Sequence, residues 1–432
     1  MFLENPTIRK ILDKKSARKK VIESMLIKDF RKFGFNKQFL TRKYETVEEM
    51  KKSIPGVVLA ESVSNAELRV GSEVINLKSG DLYIMPLDFY IRGFTNGEFF
   101  YLKPYKQRFE EYFRRYLGYD LNNKKILIWR VGGLGDLIFS QPLVQFLKKT
   151  YPSCYIGFAT APENRFLFKA WPDGLIDDIS IIPFKLDYFS KFDYHLTFEG
   201  AIERCKESEK VNCYDIFKRV ANVDFDVRDY LPRLILDQEE VNKFKRFVPD
   251  NTILIQMRAS SPLRMMATRK WIKIINKLAE LGFHVAVIDS QDNQKMYDEF
   301  LIQQFGLKNK LTNLSKFSKT IYNGIHMLAN CKGFIGIDSS FTHIAPAIGI
   351  PSVGIYGPFL GDLRMRYYKN ADWVDASNYD NICGRYPCFF HQSEVEICPY
   401  YSDHQPVGCL NSISENEVIN KLLNLLNSQK EK

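Results

Sequence analysis

The chain has 432 residues, of which 45% are hydrophobic and 26% are charged. This composition, with 33 Phe and 23 Tyr, is that of a folded protein of two or three domains and excludes a disordered tail or a fibrous repeat. The formal net charge of +10 indicates an anionic partner, such as nucleic acid, a membrane surface or a phosphate-bearing substrate.

Positive charge is concentrated at the amino terminus. Residues 1–60 hold fifteen Lys and Arg against seven Asp and Glu, which accounts for +8 of the total. We therefore predict a basic helical segment over residues 1–52 ahead of a nearly neutral body. The segment has no apolar run followed by a small-residue cleavage site, and the longest uncharged run, 339–361, is interrupted by Pro and Gly. We expect no signal peptide, no transmembrane segment and a cytoplasmic location.

A small β domain is predicted over residues 53–122. Short runs of alternating hydrophobicity at 67–70, 73–77 and 81–84 are separated by Gly or Asn-Gly. This pattern is typical of antiparallel hairpins, so we predict a small β-barrel-like domain. A linker helix is expected to follow over residues 105–117.

Two Rossmann-like domains are predicted after residue 122. Buried apolar runs alternate with helical stretches over residues 123–248, and the alternation restarts over residues 249–372. This order is typical of parallel sheets covered by helices, with a ligand cleft between the two domains. A cysteine-rich segment over 373–412 and a helix over 413–432 complete the expected organisation.

The first candidate motif, Arg-Val-Gly-Gly-Leu-Gly-Asp at 130–136, follows a buried strand. Gly133 and Gly135 allow a tight turn and a close approach of the backbone to a ligand. Asp136 lies near the carboxyl end of the first strand, where a carboxylate can act as a general base toward a hydroxyl. The alternative for Asp136 is a helix-capping role.

The second candidate motif lies at 336–345. Asp338, Ser339 and Ser340 follow a strand and open a helix whose free N–H groups and dipole can bind a pyrophosphate. His343 is one turn into that helix and is expected to face the same anion. The alternative for His343 is a structural role in the core.

The third candidate is the pair Arg269 and Lys270, which precedes Trp271. Cations in this loop can neutralise a departing diphosphate. The alternative is a solvated basic loop.

Together the three motifs resemble glycosyltransferase family 9, the ADP-heptosyltransferases of the GT-B fold, over residues 125–361. The resemblance implies a GT-B fold of two Rossmann-like domains, the first for the acceptor and the second for the nucleotide-sugar donor. It implies that Asp136 is the catalytic base of an inverting transfer that needs no catalytic divalent metal. It also implies donor or phosphate binding by the residues at the matching loop positions: Gly133, Gly135, Arg269, Lys270, Asp338, Ser339, Ser340 and His343.

The sequence departs from the family pattern at two of these positions. Arg269 stands where the family usually has Lys, and Asp-Ser-Ser at 338–340 stands where it more often has Asp-Thr-Gly. The acid that the family uses for the adenosine ribose has no clear counterpart, and Asp292 is the candidate.

The chain has eight cysteines, and four of them lie within one stretch of 27 residues: Cys383, Cys388, Cys398 and Cys409. Disulfides are disfavoured in the cytoplasm, so we predict a structural metal site with four thiolate ligands. The spacing leaves iron and zinc open, and His391 or His404 can replace one thiolate.

The cysteine segment and the N-terminal β domain narrow the resemblance to the bacterial autotransporter heptosyltransferases. That resemblance implies transfer of heptose from ADP-heptose to serine hydroxyls of an autotransporter passenger protein, a large homo-oligomer, an iron-binding finger and a bacterial cytoplasmic location. One alternative is a heptosyltransferase or other glycosyltransferase acting on lipopolysaccharide or another surface glycan, and another is an inactive scaffold of the same fold. The last is a basic nucleic-acid-binding protein. We expect no stable nucleic acid partner, because aromatic residues are not interleaved with the basic ones.

Overall fold

The structure is a computed structural model that describes most of the chain. The described residues are 43–52, 57–70, 73–86, 89–90, 101–105, 109–305, 311–378, 383, 385–388, 398 and 408–428. The predicted basic segment lies outside the described residues up to residue 42. Its described end forms a short helix, α1 (Val47–Lys52).

Strands and helices alternate through most of the described chain. The strands are β1 (Val57–Ser62), β2 (Ala66–Val70), β3 (Glu73–Leu77), β4 (Leu82–Pro86), β5 (Leu102–Pro104), β6 (Lys125–Trp129), β7 (Tyr155–Thr160), β8 (Asp178–Ile181), β9 (Phe184–Lys185), β10 (Tyr194–Thr197), β11 (Thr252–Gln256), β12 (His284–Val287), β13 (Leu311–Asn313), β14 (Gly333–Ile337), β15 (Ser352–Ile355) and β16 (Ala371–Val374). The further α-helices are α2 (Leu134–Thr150), α3 (Leu186–Phe189), α4 (Cys213–Ala221), α5 (Gln238–Lys245), α6 (Thr268–Glu280), α7 (Gln294–Phe305), α8 (Ile321–Leu328), α9 (Ser340–Ala347), α10 (Asp362–Met365), α11 (Gly408–Ser412) and α12 (Glu415–Ser428). Among these described helices, none combines the length and apolar character needed to cross a bilayer.

The N-terminal strands form an open sheet and a separate ribbon. β1 pairs antiparallel with β4 and β5, and β2 pairs antiparallel with β3. The outer edge of β4 is taken by β9, which comes about a hundred residues later in the chain, so the sheet order is β5-β1-β4-β9. The predicted antiparallel pairing is confirmed, with β2 and β3 as a hairpin. The predicted barrel closure is not found among the described strands, because β4 pairs with β9 and not with β5.

The linker that follows is extended where a helix was predicted. Within its described part, from residue 109 onward, it contains a 3₁₀ turn at Phe109–Glu111 and a β-bridge between Arg115 and His195. Phe113 packs edge-on against Trp129, with 5.9 Å between ring centroids. The helix prediction over 105–117 is wrong for these residues, because the aromatic side chains and backbone of the linker are used against the adjoining sheet.

Two parallel sheets form the body of the molecule and confirm the predicted α/β class. The first, which we call the N-terminal α/β domain, has the strand order β10-β6-β7-β8. The second, the C-terminal α/β domain, has the order β13-β12-β11-β14-β15-β16, which is the doubly wound order 3-2-1-4-5-6. Its central strand β14 is buried at every position, as expected for a parallel strand covered on both faces.

The topology places ligand sites at the carboxyl ends of the central strands. Strand order reverses between β6 and β10 in the N-terminal α/β domain and between β11 and β14 in the C-terminal α/β domain. Ligands of open α/β sheets bind outside the carboxyl ends of the strands at such points. The loops after these four strands therefore define the region in which a functional site is expected.

Candidate active site

A cavity of about 700 Å³ lies between the two α/β domains. It is bounded by the loop after β6 on one side and by the loops after β11 and β14 on the other. Seven of the nine predicted catalytic and donor-site residues line it, namely Gly133, Gly135, Asp136, Asp338, Ser339, Ser340 and His343. The structure thus brings the first two sequence motifs together across one cleft.

Gly133 shapes the loop that presents Asp136. Its φ of +71° lies in the left-handed region, and an added Cβ would collide with the Asp136 carboxylate. The backbone N–H of Asp136 donates to the carbonyl of Gly133 at 2.9 Å as α2 begins. The Asp136 side chain pairs with Arg130 at 2.5 Å and lines the cavity. The N-cap position of α2 is Gly133 and carries no side-chain cap, so the alternative capping role of Asp136 is not seen; its role as a base stays a prediction.

Arg130 is buried and shared by three carboxylates. It pairs with Asp136, with Glu203 and, at 3.5 Å, with Glu199. Burial is the main reason that the pKa of Asp136 is raised; Arg130 opposes this rise, and Glu203 adds to it. A carboxylate with a raised pKa is a stronger base toward a hydroxyl proton. Sequence reasoning missed the two glutamates, although they follow β10, the strand next to β6.

His343 lines the cavity as a neutral ring. Burial lowers its pKa to about 3, and its Nδ1 has no hydrogen-bond partner among the described residues. The ring packs edge-on against Phe139, with 4.6 Å between centroids, and lies over Gly135. At neutral pH His343 therefore supplies no positive charge to an anion, and it joins α9 to α2 across the cleft.

Arg269 and Lys270 lie outside the cavity. Lys270 Nζ donates to the carbonyl of Ile413 at 2.5 Å, and Arg269 donates to Asn411 at 3.2 Å. Trp271 is buried in the core of the C-terminal α/β domain. Because this residue fixes the orientation of the first turn of α6, its two basic neighbours point toward the segment before α12. The structure does not bring them to the other predicted donor residues.

Other arginines line the cleft in their place: Arg258, Arg264 and Arg364. Arg264 donates to the carbonyl of Asp338 at 2.9 Å and to Ser260 Oγ at 2.6 Å. Its Nε is buried and has no partner among the described residues. Arg264 thus lies beside the start of α9 with its positive charge at the wall of the cavity. It lies in the turn before α6, whereas Arg269 is in the first turn of that helix. The motif before Trp271 does not include Arg264, so the sequence comparison did not identify it.

The N-terminus of α9 faces the same side of the cavity. Ser339 Oγ donates to Gln256 at the end of β11 and does not cap the helix. The first N–H groups of an α-helix have no intrahelical partner, so they are available to an anion at this end. Burial raises the pKa of Asp338, and Arg264 opposes that rise.

Asp289 follows β12, the second strand of the doubly wound order, and lines the cavity. It accepts a hydrogen bond from Tyr297 at 3.1 Å and lies 3.8 Å from Arg258. An acid at the end of the second strand is where dinucleotide-binding folds contact a ribose diol. The sequence-based candidate Asp292 is three residues away and is not among the residues that line the cavity.

The four cysteines of the C-terminal segment interact with one another. Burial, and after it the charges of Cys388, Cys398 and Cys383, raise the pKa of Cys409 to about 12. The Cys388 N–H donates to the carbonyl of Pro358 at 2.9 Å. Within the described part of the chain, no three His, Cys, Asp or Glu side chains have the geometry to hold a metal ion. His391 and His404 lie outside the described residues.

Solved structures with a similar fold include three bacterial glycosyltransferases. A family 9 glycosyl transferase from Veillonella parvula DSM 2008 has 15% identity and a TM-score of 0.54, covering 72% of this chain and 99% of that one. E. coli ADP-heptose lps heptosyltransferase II has 16% identity and a TM-score of 0.52, covering 71% and 99%. The iron-containing dodecameric glycosyltransferase TibC from enterotoxigenic E. coli H10407 has 15% identity and a TM-score of 0.51, covering 86% and 91%. At these identities the likeness establishes a shared fold.

The family comparison is more specific. A comparison with curated proteins gave no match. The family model for glycosyltransferase family 9 (heptosyltransferase) matches residues 210–392, which include the loops after β11 and β14 that line the cavity. Residues 210–392 therefore match glycosyltransferase family 9 (heptosyltransferase), and the chain shares the fold of the similar solved glycosyltransferases.

Proposed function

We propose that the chain is an inverting enzyme that moves heptose from ADP-heptose to serine hydroxyls of an autotransporter passenger protein. The observation that carries the proposal is a single cavity with a base on one wall and an anion site on the other. Asp136 occupies the wall of the N-terminal α/β domain, and Arg264 with the start of α9 occupies the opposite wall. This arrangement suits a hydroxyl acceptor and a diphosphate leaving group.

The donor fits the C-terminal α/β domain. Arg264, Arg258 and the free N–H groups at the start of α9 would hold the diphosphate, and Asp289 would accept hydrogen bonds from the ribose. These groups balance the diphosphate charge, which Mg²⁺ does at many phosphate sites. We therefore propose a transfer without a catalytic divalent metal.

The positions of the base and the anion site on opposite walls of the cavity define the proposed reaction. Asp136 takes the proton of the acceptor hydroxyl, and the resulting oxygen forms a bond to the anomeric carbon on the face opposite ADP. The bond from the anomeric carbon to the diphosphate breaks, and its electron pair leaves with ADP. The cations beside α9 stabilise the negative charge that develops there. Attack and departure on opposite faces invert the anomeric configuration.

A second cavity of about 210 Å³ is the proposed entry for the acceptor. It is lined by Arg130, Glu199 and Glu203 and by Pro86 and Phe89 from the N-terminal sheet. Glu203 also lines the larger cavity, so the two spaces meet beside Asp136. The partly buried carboxylates of Glu199 and Glu203 favour a neutral polypeptide hydroxyl over an anionic glycan. A lipopolysaccharide or other surface-glycan acceptor is the second candidate, because the similar E. coli heptosyltransferase II is described as an lps enzyme.

A structural metal is proposed for the cysteine segment. Cys383, Cys388, Cys398 and Cys409 carry the thiol groups that iron and zinc prefer as ligands, and metal binding would require them to lie closer together than they do in the described structure. When bound, the metal would crosslink the segment and so brace the adjoining loop through the Cys388–Pro358 hydrogen bond. TibC is described as iron-containing and dodecameric. We propose a metal-bearing homo-oligomer for this chain as well, in the bacterial cytoplasm.

Mass spectrometry of acceptors tests the proposal. The purified full-length chain is incubated with ADP-heptose, or with other nucleotide sugars, and with a passenger polypeptide or a lipopolysaccharide acceptor. We expect one heptose per modified serine on the polypeptide. The Asp136→Asn variant serves as the blank, with transfer reduced by about 10³-fold and ADP binding retained.

Each other outcome contradicts a defined part of the proposal. Modification of the glycan alone would transfer the assignment to the second candidate. Transfer from a different nucleotide sugar would replace the donor. No transfer from any donor, together with nucleic acid binding that falls steeply with salt, would favour a nucleic-acid-binding protein.

A further inference from the structure

Arg364 of the C-terminal α/β domain reaches the wall of the cleft that carries Asp136. It lies on α10, between β15 and β16, and is 4% exposed. Its guanidinium carbon is 3.8 Å from the ring centroid of Phe359 and 5.6 Å from that of Phe139, which lies on α2. The guanidinium also donates to Cys213 Sγ at the start of α4. One buried cation therefore spans the two α/β domains.

Other hydrogen bonds hold the segment that carries Arg364 against α4. Tyr214 and Tyr368 join their hydroxyl groups at 2.9 Å in a buried position. Asn212 Nδ2 donates to the carbonyl of Asp362 at 3.3 Å. Because these bonds do not involve Arg364 itself, a substitution at this position leaves the rest of the domain contact in place.

Negative charge exceeds positive charge in the cluster around Asp136. Arg130 is shared among Asp136, Glu199 and Glu203, which leaves an excess of negative charge on their side of the cleft. Arg204 opposes part of it through Glu203. The neutral ring of His343 supplies no charge from α9. Arg364 acts on the cluster from the C-terminal α/β domain: its charge lowers the pKa of Asp136, against the larger effect of burial.

Resting on the proposed function, we infer that Arg364 is a positioning residue for the base. The positive charge of Arg364, which belongs to the C-terminal α/β domain, stabilises the ionised form of Asp136. The ionised carboxylate can then accept the hydroxyl proton. Asp136 is then a competent base only while the two domains are packed together. The C-terminal α/β domain would then both bind the nucleotide-sugar donor and stabilise the base that deprotonates the acceptor.

The pH dependence of transfer distinguishes this role from binding of the diphosphate. In Arg364→Gln the acid limb of kcat/KM, which reports Asp136, is expected to move to higher pH by about one unit. Arg364→Lys retains the charge and should restore most of the wild-type profile. The matched control is Arg366→Gln, since Arg366 lies on the exposed side of the same segment and pairs with Asp362. Its acid limb should coincide with that of the wild type.

Two results overturn the inference. If Arg364→Gln loses activity with an unmoved acid limb, its role is merely structural. If the whole loss lies in ADP affinity, Arg364 is a donor ligand. Arg364→Met is the second neutral variant, because its apolar chain fits between the rings of Phe359 and Phe139 and so separates loss of charge from loss of fold.

A double-variant cycle tests the charge coupling without any activity. Asp136→Asn and Arg364→Met are combined, and thermal unfolding midpoints are compared at pH 5 and pH 8. We expect the unfolding midpoint of the double variant to fall by less than the sum of the two single-variant losses at pH 8. This difference should be smaller at pH 5, where a larger fraction of Asp136 is protonated. Additive losses at both pH values overturn the inference. Absence of sugar transfer by the wild type contradicts the proposed function instead.

Discussion

A Cβ built on Gly135 would lie 3.1 Å from Cδ2 of His343, so α9 packs closely against α2 at a glycine that directly precedes the proposed base. A methyl group at this position must push the His343 ring away by a few tenths of an ångström. Because the ring is buried against Phe139, the adjustment falls on the spacing of the two domains.

Gly135→Ala is therefore expected to lower kcat for sugar transfer several-fold while changing the thermal unfolding midpoint little. Steady-state kinetics with ADP-heptose would measure the loss. Gly132→Ala is the matched control for the steric contact, because a Cβ at Gly132 meets nothing within 4 Å. Since Gly132 lines the proposed acceptor entry, the two variants are compared by hydrolysis of ADP-heptose without an acceptor. Equal activity of the two alanine variants would show that the approach of α9 to α2 does not matter for transfer.

Arg264, in the turn before α6, and Arg269, in the first turn of α6, provide a second comparison. Arg264 lines the cavity with a buried Nε that has no partner in the described chain, whereas Arg269 donates to Asn411 away from it. We expect Arg264→Gln to weaken ADP binding by at least about tenfold, the usual effect of losing a hydrogen bond to a charged group. Arg269→Gln should bind ADP as the wild type does.

Isothermal titration calorimetry with ADP decides between the two arginines. A loss of affinity confined to Arg269→Gln would restore the assignment made from the motif before Trp271. It would also require α6 to rearrange on binding, because Arg269 now faces the segment before α12.

Strand-end positions were predictable from the sequence because topology determines where they lie. Asp136 and Asp338 each follow a buried strand, and parallel strands bring their carboxyl ends to one edge of a sheet. Their meeting across a cleft followed from the recognition of two successive α/β domains. The sequence could not place Arg264 or Arg364, because their positions depend on how loops pack across the domain boundary.

The N-terminal sheet shows the same limit. The alternating pattern over 66–77 correctly predicted the antiparallel hairpin of β2 and β3, since a period of two residues is a local property of a half-buried strand. The partner of β4 was not predictable. β9 has only two residues and follows more than ninety residues later in the chain, so no local pattern connects it with the hairpins.

Loss of a thiol from the cysteine segment is expected to release metal. Cys409→Ser should lower the iron or zinc content of the purified chain to a small fraction of one ion per chain, because a tetrathiolate site rarely tolerates three ligands. Cys154→Ser is the control, since Cys154 is buried in the core of the N-terminal α/β domain. Elemental analysis of both proteins gives the metal content. Equal content in the two variants would remove the metal site from this segment.

Protonation of His195 is expected to destabilise the fold in acid. The ring is stacked on Phe189 with 3.7 Å between centroids, and burial lowers its pKa from 6.5 to about 4. Nδ1 accepts from the backbone N–H of Arg114 at 3.1 Å, so the folded protein holds the neutral ring with its proton on Nε2, facing the Phe189 carbonyl. The unfolded chain binds a proton at His195 below about pH 6.5, and the folded chain does so only below about pH 4.

The stabilisation from neutral His195 is therefore complete above pH 6.5 and is lost as the pH falls toward 4. The 2.5-unit difference in pKa corresponds to about 3 kcal/mol in the free energy of unfolding. His195→Gln has a constant loss from the missing ring stack but lacks this pH dependence. Urea unfolding at pH 7, 6 and 5 should thus show the wild type and the variant converging in stability as the pH falls. Parallel curves would mean that His195 titrates alike in both states and that its burial has no effect on the pKa.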